Sequence, residues 1–165
     1  MFLYLLKILL FSLIFISDTL SKEIQVFEFT EKELSSLKVR KIRGADAKTK
    51  YTVGNNENGK FLRAEADNSA SGLGKEIKIN LNETPFLNIT WKVEKDLPGI
   101  DESTKKGHDY AARVFVVKKT GATPLSNRAM NYVFSSNKEI DAFHPSPFTK
   151  KSIDYILSTT KENFN

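Results

Sequence analysis

Arg113 stands inside Gly107-His108-Asp109-Tyr110-Ala111-Ala112-Arg113-Val114-Phe115-Val116-Val117, whose apolar and β-branched run from Val114 to Val117 reads as a strand. Side chains alternate along a strand, so Asp109, Ala111, Arg113, Phe115 and Val117 share one face. A guanidinium on such a face needs partners, because a buried charge left unpaired costs several kcal/mol or more. Arg63, within Phe61-Leu62-Arg63-Ala64-Glu65, raises the same question. The other arginines are Arg40, Arg43 and Arg128, in a chain whose remaining basic residues are lysines. Arginine at mid-strand in that background points to a use for its planar fork, and Glu65 and Asp109 are carboxylates suited to bidentate pairing. Two outcomes follow. One is a structural ion-pair network. The other is a ligand-contacting cluster of Arg63, Glu65, Asp109, Arg113 and Asn131, with Tyr132 as a stacking surface. In that cluster arginine and carboxylate groups would hydrogen-bond sugar hydroxyls, and the ring would cover an apolar sugar face.

Catalytic patterns are absent. The chain has no G-x-S-x-G, no Walker loop and no H-E-x-x-H. It has no cysteine, which removes thiolate catalysis, iron–sulfur clusters and cysteine-based zinc sites. His108 and His144 lie far apart in sequence and no third ligand is indicated, so no metal site and no cofactor is expected. A retaining glycosidase would need two carboxylates about 5 Å apart, for which Glu65 and Asp109 are the available pair, but no residue is assigned a catalytic role. The 25 basic and 20 acidic residues give a net charge of +5. The lysines are scattered without interleaved aromatics, so nucleic acid is not expected as a partner. A solvated lysine-rich surface, or a site for an anionic polymer, fits that distribution.

These residues must be positioned by β structure. Residues 1–21 read as a signal peptide, with Lys7 ahead of the apolar run Ile8–Ile16 and cleavage expected after Ser21. The protein is therefore expected in the periplasm or outside the cell, with membrane attachment only through an uncleaved signal. Residues 22–165 are expected to form a single domain held by its apolar core alone. Glu23–Phe29 alternates as a strand, and Thr30-Glu31-Lys32-Glu33 resembles a capping box opening one short helix. Lys50–Val53 and Lys60–Ala66 flank the turn-rich Gly54–Gly59 as a hairpin. Lys75–Leu81 and Phe86–Val93 alternate, the latter with Leu87, Ile89, Trp91 and Val93 on a core face. The polar stretch Glu94–His108 is a long loop of the kind that is often functional. Ala129–Phe134 and Lys151–Leu157 complete the strands. The expected fold is all-β with one short helix, an antiparallel β-sandwich of jelly-roll or galactose-binding-like type.

Several segments in one order resemble an exported bacterial family, domain of unknown function 3047. They are Phe61–Glu65, Ser69-Ala70-Ser71-Gly72-Leu73, Pro85–Val93, Gly107–Val117 and Ala129–Phe134. The resemblance implies an exported β-rich domain and no assigned activity. Phe134 stands where the family usually carries tryptophan. Members continue for some tens of residues with an acidic Asp-x-Asp-Asn-like segment, so the chain is expected to lack the C-terminal part of the domain. The function expected first is a non-catalytic module for a glycan or small polar ligand, an anionic envelope polymer among the candidates. A glycan-active hydrolase or lyase using sheet-face carboxylates is the alternative, and a ligand-free structural envelope protein the second alternative.

Overall fold

The computed structural model describes residues 22–42 and 44–160; the signal peptide expected at 1–21 lies outside the described residues. Among the described residues the regular structure is mostly β-strand, with one short α-helix. The chain resolves into two compact units, one up to Asn88 and one from Ile89.

In the first unit, α1 (Glu31–Ser36) begins as its sequence dictates. Thr30 caps it by accepting from the Glu33 amide at 3.1 Å, and the Glu33 carboxylate accepts in return from the Glu28 and Phe29 amides at 2.8 and 3.0 Å. Strands β1 (Arg40–Lys41) and β4 (Ser71–Gly72) form one small antiparallel pair. Between them in sequence, β2 (Lys50–Asn56) and β3 (Gly59–Glu65) form the expected hairpin. Its loop is tighter than the sequence suggests, since the ladder runs on to the Asn56–Gly59 pair. Gly54 permits this: a Cβ there would lie 2.4 Å from the Phe61 ring opposite it.

Three expected strands do not join a ladder. Glu23–Phe29, Lys75–Leu81 and Phe86–Val93 contain no described strand, and Leu81 and Phe86 are 68% and 88% exposed. Alternation states which face a strand would bury once paired; it does not supply the neighbouring strand whose hydrogen bonds make it one.

The second unit is built on a four-stranded sheet in the order β5 (Ala112–Lys118), β6 (Arg128–Ser135), β8 (Thr149–Thr159), β7 (Phe143–Ser146). β5 and β7 pair antiparallel with their neighbours, but β6 and β8 run parallel. The connection between them contains β7, an edge strand whose Pro145 donates no hydrogen bond and is tolerated there. Periodicity alone did not reveal β7. A register shift at Val133/Phe134 interrupts the central parallel ladder.

The register divides the sheet into two faces. One carries Arg113, Phe115, Asn131, Val133, Asp154 and Ile156; Asn131 and Asp154 are 1% exposed, and Val133 and Ile156 are 0%. Val133 and Ile156 pack with Tyr110 as the apolar core of this unit. The other face carries Val114, Tyr132, Tyr155 and Phe143 in one cross-strand row and is more open.

Candidate functional site

The closed face is a polar cluster built around Asp154. Its Oδ2 lies 2.6 Å from His108 Nε2, and its Oδ1 accepts from Asn131 Nδ2 at 2.7 Å. Asn131 Nδ2 also donates to Ser152 Oγ at 2.8 Å, while Asn131 Oδ1, though buried, has no donor among the described residues. The Tyr110 hydroxyl stands 3.5 Å from Asp154 Oδ2. Burial first, and then the Asp154 charge, push the Tyr110 hydroxyl far above its ordinary range, so it remains protonated.

Arg113 does not pair with a carboxylate. No acidic oxygen among the described residues is within ion-pair reach of it; its guanidinium lies over the Tyr110 ring at 4.6 Å and the Phe115 ring at 5.3 Å. It also donates to the His108 carbonyl at 3.4 Å. Burial lowers its pKa, and the more distant negative charge of Asp154 opposes that shift. The planar fork anticipated from sequence is used for stacking rather than for bidentate pairing.

The long Glu94–His108 loop is tied to this sheet at two points. One is His108 on Asp154. The other is Glu102, 1% exposed, which accepts from the Ser135 hydroxyl at 2.5 Å and the Ser136 amide at 2.8 Å. Ser136 in turn donates to Asp96 at 2.6 Å, and Asn137 donates to the Ile100 carbonyl at 2.7 Å. The loop folds back on itself tightly enough that a Cβ on Gly107 would lie 2.4 Å from the Asp101 carbonyl oxygen. These bonds hold the loop against the sheet as a cover. Glu102, His108 and Asp154 are central to it, and the sequence reading gave them no such role. Asp154 nonetheless carries the signal that singled out Arg113, a charge set between apolar neighbours in Ile153-Asp154-Tyr155-Ile156.

The candidate residues are distributed over the two units. Arg63 and Glu65 belong to the first, on β3, where Arg63 Nε lies 3.1 Å from Glu65 Oε1 and Lys50 Nζ 3.2 Å from Glu65 Oε2. Their side chains are 48% and 47% exposed, so this is a solvated pair of small energetic weight. Asp109, Arg113, Asn131 and Tyr132 belong to the second. Asp109 is exposed and accepts from the Tyr110 amide at 2.9 Å. Asn131 is enclosed with Asp154, and Tyr132, its neighbour on β6, points to the opposite face. An open polar hollow of about 510 Å³ beside Glu28, Asn58 and Lys60 in the first unit includes none of the candidates.

The opposite face of the four-stranded sheet offers a surface of another kind. Tyr132 of β6 pairs across the ladder with Tyr155 of β8, which pairs with Phe143 of β7. The first two rings meet edge-on at 5.9 Å and the second two stack at 6.4 Å. Phe143 is 67% exposed, and Tyr132 and Tyr155 are half-buried. The Tyr155 hydroxyl donates to Asp141 Oδ1, a bond that raises the phenol pKa and keeps the proton on Tyr155. Asp141 itself adopts a left-handed backbone, φ 61°, that aspartate tolerates better than most residues. Among the described residues no cluster suited to a metal ion occurs.

Comparison with curated proteins and with solved structures finds no match. Comparison with protein-family models finds one that covers residues 35–165, most of the chain and both units of the structure. The chain belongs to that family, described as Protein of unknown function (DUF3047).

Proposed function

We propose that the protein is a non-catalytic binding module for a glycan or similar polar ligand, acting in the cell envelope or outside the cell. The observation that carries this reading is the row Tyr132–Tyr155–Phe143, which crosses three adjacent strands on the open face of the sheet. Aromatic rings offer a rigid apolar surface to the C–H face of a sugar at little conformational cost, and the polar groups around them take its hydroxyls. Adjacent strands lie about 4.8 Å apart, so a row running across them presents rings at closely repeated steps to an extended chain of sugars. The Asp154 cluster serves this function indirectly. Its side chains are enclosed, and it ties the loop to the sheet that carries the platform.

Titration calorimetry of the full chain against neutral β-linked hexasaccharides tests the reading. Binding is expected, and Phe143→Ala is expected to weaken it by about tenfold, equivalent to about 1.4 kcal/mol. Phe143 is largely exposed, so the variant should fold. Binding that Phe143→Ala leaves unchanged would remove the row from the function. No binding to any saccharide would remove the function itself.

A further inference from the structure

The same open face ends in an arrangement that is costly unless something neutralises it. On the antiparallel ladder of β5 and β6, Lys118 stands directly opposite Arg128. Alternation places both on the side of the sheet that carries Tyr132, four residues from Arg128 along β6. Both are exposed, and neither makes an ion pair among the described residues. Like charges at directly opposed positions destabilise a strand pair. Here they lie at the last rung of the ladder, next to an apolar surface, where an incoming anion would turn the repulsion into attraction.

We propose that the ligand of this face is an acidic glycan, a chain of sugars bearing carboxylates, as uronic acids do. This rests on the reading of the aromatic row as a sugar platform. Tyr132, Tyr155 and Phe143 stack the rings, and Lys118 and Arg128 receive a carboxylate at the end of the face. Asp141, held beside Tyr155 in its left-handed conformation, is a carboxylate at the aromatic end and accepts from sugar hydroxyls. That carboxylate also selects against a uniformly anionic surface such as a bilayer, which would bring negative charge onto Asp141 and the basic pair together. A glycan chain can place its carboxylate at one end of the face and its hydroxyls at the other.

The test compares hexagalacturonate with a neutral hexasaccharide, cellohexaose, by calorimetry on the full chain, wild type and K118Q/R128Q. Hexagalacturonate is expected to bind about tenfold or more tightly than cellohexaose. That advantage should fall as salt is raised from about 20 mM to about 200 mM, because exposed charges are screened. In K118Q/R128Q the advantage should vanish, while any affinity for cellohexaose stays as it was. The changes are confined to exposed side chains and relieve a repulsion, so the variant is expected to fold, and its circular dichroism spectrum verifies this. Equal affinity of the wild type for the two oligomers would overturn the acidic class and leave the sugar platform standing. An advantage that persists in K118Q/R128Q would overturn the role of the basic pair. Binding only to phosphatidylglycerol vesicles, or to none of the probes, would overturn the proposal together with the platform beneath it.

Discussion

His108 Nε2 and Asp154 Oδ2 lie 2.6 Å apart with side chains only 4% and 2% exposed, so the end of a long loop is fastened to the middle of a sheet. Removing one partner of such a pair strands the other in a low-dielectric interior. Asp154→Ala is expected to cost about 3–5 kcal/mol, because it also takes the Asp154 acceptor from Asn131 Nδ2 and leaves that group on Ser152 Oγ. A urea midpoint equal to that of the parent protein would show that the pair carries no such weight.

Arg113 should behave differently. With its guanidinium over Tyr110 and Phe115 and no ion pair, Arg113→Ala loses stacking contacts rather than a buried salt bridge. The expected cost is about 0.5–2 kcal/mol, below that of Asp154→Ala. Measuring both variants in one denaturation series ranks them directly. A loss for Arg113→Ala as large as that for Asp154→Ala would point to a carboxylate partner after all.

Gly107 tests whether the cover is as tight as it looks. A methyl group there meets the Asp101 backbone rather than a flexible side chain, so the loop must shift. Gly107→Ala is expected to destabilise by about 1–3 kcal/mol, the usual cost of overpacking. Faster amide exchange at Ser103 and Thr104 in the variant should accompany the loss.

The first unit has its own acid-sensitive contact. Lys75 donates to Glu33 at 2.6 Å, and that bond, aided by the Glu28 and Phe29 amides and opposed by burial, holds the Glu33 carboxyl below its ordinary value of 4.5. A carboxyl with a depressed folded-state pKa contributes stability above its unfolded value and loses it as pH falls through the folded one. The stability gap between wild type and Glu33→Gln should therefore be full near neutrality and close as pH falls below 4.5. A gap that stays unchanged as pH falls well below 4.5 would mean that the charge plays no part.

Local chemistry made part of this architecture legible in the residues alone. Thr30 and Glu33 announce the cap of α1 because both partners lie within one turn of helix. The turn residues between Lys50 and Glu65 announce a hairpin, and the apolar runs at Val114, Tyr132 and Ile156 announce strands, since each depends on neighbours close in sequence. Pairing was beyond that reach. Lys75–Leu81 alternates as cleanly as any segment of the chain yet has no ladder partner, whereas Phe143–Ser146, with its proline, has one. The site divides in the same way. Arg113 was visible as an expensive residue in an apolar strand, but whether it would meet Asp109, Glu65 or the rings of Tyr110 and Phe115 depended on how the preceding loop closes. Tyr132 suggested a stacking surface. Its row with Tyr155 and Phe143 exists only because β6 and β8 run parallel while β7 runs against β8 in a matching register. Residues determine which groups are costly to bury or ready to stack; only tertiary hydrogen bonding between distant strands decides which of them meet.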